Sequence, residues 1–203
     1  MKILVPFIFV ATICIAGCVN MISPQTDTTS RTNVALVKYK RIAVIKFHNP
    51  RNEESGQEAA DILSLGFLKQ GFNVVGSSQI TSLIDQDEVN ETGFTPENRA
   101  KLKTDGVDGI VSGTINEYFC SLSDMTPLYV KKEGKNRCSV TVTAKLLDLE
   151  TGEIVWGTTV SDVQEGKWVT EDSVLRAIMH NIQATIPNIT AIKRVTSTSG
   201  AKQ

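Results

Sequence analysis

Arg41-Ile42-Ala43-Val44-Ile45-Lys46-Phe47 is the stretch that decides the fold of this chain. Ala43, Ile45 and Phe47 alternate with Ile42 and Val44, so apolar side chains leave an extended backbone on both sides, as in a strand covered on both faces. Such a strand belongs in the middle of a sheet with helices on either side. Downstream, Gln57 to Gln70 carries Ala59, Ile62, Leu63 and Phe67 at helical spacing, and Gly71 stands where a left-handed C-cap is wanted. Phe72 to Val75 is a second short strand. The unit is strand, helix, strand, with the right-handed crossover such units require.

Outward from this unit, Ser77 or Ser78 can cap a helix carrying Ile80, Leu83 and Ile84, and Pro96 opens another through Leu102, with Gly93 and Pro96 separating the two. Longer strands follow over Val107 to Phe119, Ser139 to Asp148 and Ile154 to Ser161. In the middle one Val140, Val142, Ala144 and Leu146 alternate with Thr141, Thr143, Lys145 and Leu147, so one face packs and the other meets water. Asp148 to Glu153 is a tight hairpin connection in which Gly152 supplies a positive φ. Val174, Ile178, Ile182 and Ile186 line one face of a last helix, which begins after Thr170-Glu171-Asp172 and is stopped by Pro187. The expected fold class is α/β (mixed α+β): a βαβ start, an antiparallel three-strand meander and a C-terminal helix, on a mixed five-stranded sheet packed by helices. No internal repeat is present.

The 203 residues, 41% hydrophobic and 21% charged, suffice for one core plus processing and tether segments. A net charge of -1 leaves no broad basic field for a phosphate backbone, so nucleic acid is excluded as a partner. Ile3 to Gly17 is apolar throughout but falls short of the ~20 residues that span a bilayer as a helix. Lys2 gives a positive n-region, Ile3 to Ile15 an apolar h-region, and Ala16 and Gly17 a small-residue cut site. Ile15-Ala16-Gly17-Cys18 resembles the bacterial lipobox. That resemblance implies diacylglycerol on the Cys18 thiol and, after cleavage, an acyl chain on its amine, against the plainer alternative of an uncleaved helix or an ordinary signal peptide. Cys14 follows bulky Ile13 and is the weaker candidate. Val19 and Asn20, in place of an Asp after the Cys, favour the periplasmic face of the outer membrane.

Residues 1–17 therefore read as signal peptide, 18–39 as lipidated Cys and flexible tether, 40–190 as a periplasmic domain and 191–203 as a polar tail. Within the domain, Arg41-Ile-Ala-Val-Ile-Lys-Phe47, Gly71-Phe-Asn-Val-Val75, Gly106-Val-Asp-Gly-Ile-Val-Ser-Gly-Thr114 and Leu147-Asp-Leu-Glu-Thr-Gly-Glu-Ile-Val-Trp156 resemble the CsgG-like periplasmic domain, related to the TolB N-terminal domain and to LpoB-type lipoproteins. The curli-secretion member of that family forms a pore through two transmembrane β-hairpins inserted in the meander. Here the first insertion point, Ser121 to Arg137, carries Lys131, Lys132, Glu133, Lys135 and Arg137, and the second, Asp162 to Val169, is shorter still, so no spanning hairpin fits. The resemblance then implies a lipid-anchored, non-enzymatic binding or scaffold lipoprotein that assembles with or regulates envelope proteins, possible self-association included. The alternative is a subunit or accessory of a CsgG-like outer-membrane secretion pore.

No catalytic residue, metal site or cofactor site is expected. His48 and His180 lie in separate elements without a recognisable partner and read as surface or rim histidines. Gly106 to Gly113 lacks the strand-turn-helix context of a phosphate-binding loop and reads as turn and strand packing. Cys120 and Cys138 lie at facing ends of consecutive antiparallel strands and are either a disulfide closing a loop of about 18 residues or two separate buried thiols. The loop between them offers Met125, Leu128, Tyr129 and Val130 beside a basic cluster, either as a partner-binding surface or as a plain strand connection. Trp156 and Trp168 read as core or sheet-packing residues.

Overall fold

In the computed structural model, residues 25–30, 36, 38–85, 89, 94–122 and 135–189 are described. Six strands and four helices lie along them: β1 Gln25–Ser30, β2 Arg41–Val44, α1 Glu53–Lys69, β3 Asn73–Val75, α2 Ser77–Thr81, α3 Pro96–Thr104, β4 Gly109–Leu122, β5 Asn136–Asp148, β6 Ile154–Gly166 and α4 Glu171–Thr185. The strands form one mixed sheet in the order β1-β6-β5-β4-β2-β3. β2 pairs in parallel with both β3 and β4, and β4, β5 and β6 make the antiparallel meander. The five-stranded mixed sheet expected from the sequence is present, widened by one strand.

That strand, β1, lies in the segment that reads as tether. Gln25 to Ser30 pairs antiparallel with Ser161 to Trp156 of β6. A polar, Thr-rich run suits an outermost strand, which needs only one neighbour and hides little apolar surface. The meander strands also run past their expected ends, β4 to Leu122 and β6 to Gly166, because ladder bonds continue through polar residues once the apolar part has set the register.

The apolar alternation of β2 divides the core in two. Ile42, Val44 and Phe47 join Val111, Val142, Ala144, Leu146, Trp156 and Val160 under α1 and α4, which contribute Leu63, Phe67, Val174, Ile178 and Ile182. Ala43 and Ile45 point to the opposite face, where Ile80, Ile84, Leu102, Ile110 and Leu149 form the second, smaller cluster. From Ile42 to Val44 both faces of β2 are apolar, as its sequence states; Phe47, expected on the side of Ala43 and Ile45, lies instead with Ile42 and Val44, because the strand ends at Val44 and its alternation with it. Phe67 meets Phe72 and Trp156 edge to face, at centroid distances of 5.3 and 5.6 Å.

Local signals account for the helix ends. Asn52 caps α1 by accepting from the Ser55 amide, and the helix begins four residues before its expected start. Thr95 caps α3, with Pro96 at the first position. Gly76, not a serine side chain, occupies the N-cap of α2. Thr170 and Ser173 exchange reciprocal hydrogen bonds in a capping box that opens α4. Gly113 is required by close approach: a Cβ there would run into the Phe47 ring. The glycine run of β4 is thus explained by packing.

Candidate functional site

The strand order reverses about β2. The crossover through α1 carries the chain to β3 on one side, and the crossover through α2 and α3 returns it to β4 on the other. In open sheets of this kind the gap at such a reversal, at the carboxyl end of the strand, is where a crevice forms. Here His48, just beyond β2, bridges to Thr114 of β4, with the His48 amide donating to Gly113 at 2.9 Å and the Ile115 amide to the His48 carbonyl at 2.9 Å.

A cleft of about 420 Å³ opens on the α3 face of this gap. Its polar lining comes from His48, Arg99, Ser112, Thr114, Lys145 and Thr151, and its apolar lining includes Phe94 and Leu147. Arg99 reaches in from α3 and lays its guanidinium against Gly152 in the β5–β6 hairpin; Gly152 has φ +77, and a Cβ there would meet that guanidinium. Ser112 is 5% exposed, and its Oγ has no hydrogen-bond partner. The buried Nε of Arg99 has none either. An unpaired buried donor costs about 1–3 kcal/mol; Trp156 Nε1, in the larger core, is likewise without a partner. Among the described residues that line it, none is acidic.

Next to the cleft, at the far end of the same hairpin, lies an ionic cluster centred on Asp148, which is 3% exposed. Its Oδ2 accepts from Lys38 Nζ at 2.6 Å and Tyr39 Oη at 2.7 Å, and its Oδ1 from the amides of Glu150 at 2.7 Å and Thr151 at 3.2 Å. Burial pushes the Asp148 carboxyl up, but the hydrogen bonds from Lys38, Tyr39 and the two amides together hold it well below the ordinary carboxylate range. Burial and the bond to Asp148 push Tyr39 up to about 12. The cluster fastens the segment before β2 to the turn that presents Gly152.

At the opposite end of the meander Cys120 and Cys138 stand in direct register and are joined by a disulfide, with Cα atoms 4.0 Å apart. Glu171 lies near the two sulfurs, but bonded sulfurs offer no thiolate to a metal. Beyond the disulfide Leu122 is 71% exposed, and Trp168 is 83% exposed with Lys167 Nζ 5.5 Å from its ring centroid. Trp168 is therefore not the packing residue its type suggests. It follows the end of β6 and precedes α4. Trp156, by contrast, is 1% exposed in the larger core.

Of the residues singled out from sequence, Cys18 and the loop residues Met125, Leu128, Tyr129 and Val130 lie outside the described residues. His48 is exposed and lines the cleft, while His180 is exposed on α4, remote from it in the fold. The sequence reading missed Arg99, Ser112 and the Asp148 cluster. Ser112 alone gave a signal, as a hydroxyl within an otherwise apolar strand core.

No family model matches the chain, and no curated protein matches its sequence. Solved structures do. The subunit of the PelC dodecamer from Paraburkholderia phytofirmans is similar over 78% of this chain and 94% of its own, at 16% identity and a TM-score of 0.52. That likeness establishes a shared fold. Lipoprotein GNA1162 from Neisseria meningitidis is similar over 71% of this chain and 99% of its own, at 13% identity and TM-score 0.49. The LpoB C-terminal domain from Salmonella enterica covers 68% of this chain and 92% of its own, at 14% identity and TM-score 0.33.

Proposed function

We propose that this chain is a lipid-anchored, non-enzymatic lipoprotein of the CsgG-like and LpoB-related kind, which works by holding other envelope proteins at the periplasmic face of the outer membrane. The observation that carries this reading is the exposed apolar end of the meander. Trp168 and Leu122 stand in solvent beyond a disulfide that fixes the strands beneath them. A large aromatic side chain held out on a rigid support is the usual anchor of a protein contact. The lipobox-like Ile15-Ala16-Gly17-Cys18 supports the membrane attachment.

Two measurements test it. Labelled palmitate should enter the native chain and not the Cys18→Ala variant; equal incorporation overturns the anchor. Crosslinking in the intact envelope should capture an envelope protein with the native chain and much less of it with Trp168→Ser. Unchanged capture removes this end as the contact.

A second reading, a subunit or accessory of an outer-membrane pore, draws on the fold shared with a subunit of a dodecamer. It requires a ring in detergent by light scattering and ion conductance in planar bilayers. A monomeric, non-conducting chain decides for the first reading.

A further inference from the structure

The cleft over β4 and β5, beside α3, is separate from the end that carries the proposed protein contact, and its chemistry calls for a different kind of partner. We infer that it binds a small hydroxylated carboxylate, of the size and kind of a sugar acid.

Three features of the cleft converge on this class. First, its charge is of one sign. Arg99 and Lys145 line it, none of the described residues that line it is acidic, and neither side chain makes an ion pair with a described residue. Second, two of the three buried atoms without partners among the described residues, Arg99 Nε and Ser112 Oγ, belong to residues that line the cleft, and both are able to donate. A carboxylate accepts only, and a guanidinium edge matches its plane. Third, the walls suit a compact polar skeleton. Thr114 and Thr151 add hydroxyls, and Phe94 and Leu147 add an apolar surface for the carbon face of a ring. At about 420 Å³ the cleft lies within the range of roughly 300–1,000 Å³ typical of small-molecule sites.

The face beyond the cleft continues in the same chemistry. Asn116 donates to Thr143 Oγ1 at 3.2 Å, Thr143 meets Thr159 at 3.2 Å, and Thr141 meets Ser161 at 3.0 Å. A hydroxylated ligand leaving the cleft along β5 therefore meets a row of hydroxyls and an amide. The Asp148 cluster sets the turn whose Gly152 backs Arg99, so the guanidinium is supported before any ligand arrives.

The test uses the full lipidated chain in detergent micelles, labelled with ¹⁵N, and three probes: D-glucuronate, D-glucose and inorganic phosphate. Glucuronate should give saturable shifts of the Ser112, Thr114 and Gly152 amides, with glucose about tenfold weaker or silent. Arg99→Gln should weaken glucuronate about tenfold or more, and Lys145→Gln less. Ser112→Ala, which removes a hydroxyl that holds nothing in the fold, should weaken it with the spectrum otherwise intact. It keeps the test open if Arg99→Gln fails to fold. Equal binding of glucose overturns the charge argument, and phosphate binding as tightly as glucuronate overturns the carboxylate assignment. Shifts absent from these amides, or unmoved by Ser112→Ala, remove the site.

Discussion

Asp148→Asn is the most informative single change in this fold. The carboxylate accepts four hydrogen bonds at 3% exposure, two from Lys38 and Tyr39 and two from amides of the hairpin. Asn keeps the shape and one acceptor oxygen but loses the charge and turns a donor toward either the amides or the Lys38–Tyr39 side. Lys38 is 57% exposed, so its ammonium regains water and its loss is small. Tyr39 is 1% exposed and cannot. A hydrogen bond to a charged group contributes about 1.5–3 kcal/mol, so the variant should lose roughly 2–3 kcal/mol at neutral pH. The pH dependence separates charge from packing. The folded-state carboxyl titrates below its unfolded value, so its stabilisation is complete above that value, near pH 4, and fades as pH falls below it. Urea titrations of both chains should therefore show a gap in unfolding free energy that is constant from pH 7 to about 5. The gap should narrow below pH 4 by up to about 1.4 kcal/mol per pH unit. A gap that is absent at pH 7, or that stays the same at pH 3, refutes the assignment of Asp148 as a charged hub.

Further outcomes follow from other contacts. Alkylation of the unreduced, denatured protein should leave Cys120 and Cys138 unmodified by mass, and the double Ser variant should lose about 3 kcal/mol in urea titration, as expected for a loop with a sequence separation of 18. Gly113→Ala should cost about 1–3 kcal/mol in urea titration because its Cβ runs into the Phe47 ring, and Phe47→Leu should recover part of that loss in the double variant. Thr170→Ala should cost about 1 kcal/mol in thermal unfolding by removing one half of the capping box of α4, with Thr170→Ser recovering most of it.

The parts of the fold legible in sequence are those whose causes are local. The two-sided apolar pattern of β2, the spacing of Leu63 and Phe67, and the Gly and Pro boundaries each act within a few residues, and each element stands close to its expected place. β1 escaped because an edge strand needs a neighbour more than a pattern, and its neighbour, β6, lies about 130 residues downstream. The cleft escaped for the same reason on a larger scale. Arg99 is an ordinary polar residue in a short, polar helix, and only the return of α3 across the sheet sets it against Gly152. Asp148 reads as a turn residue, which it is, since it accepts from Glu150 and Thr151. Its second role depends on Lys38 and Tyr39, some 110 residues away in the chain.

The two halves of the sheet differ in what each can present. In the βαβ half both faces are covered, so the open ground lies only at the gap where the strand order reverses, and a concave site fits there. In the meander half α4 covers one face, the other stays polar, and the strands run on past the core to an end where the disulfide ties β4 to β5. A protruding, stiff, partly apolar end suits contact with another protein and is poorly shaped to enclose a small molecule. The chain joins the two halves through the β5–β6 hairpin, whose turn both backs Arg99 at Gly152 and receives the segment before β2 at Asp148. Lys38, Tyr39 and Asp148 thus link the segment before β2 to the turn beside the cleft. Tyr39→Phe tests that route: it should loosen the Gly152 turn, seen as faster amide hydrogen exchange at Thr151 and Gly152, while leaving the amides around Cys120 and Cys138 unchanged. Exchange that rises equally at both ends would mean the sheet responds as one unit and the hairpin is no relay.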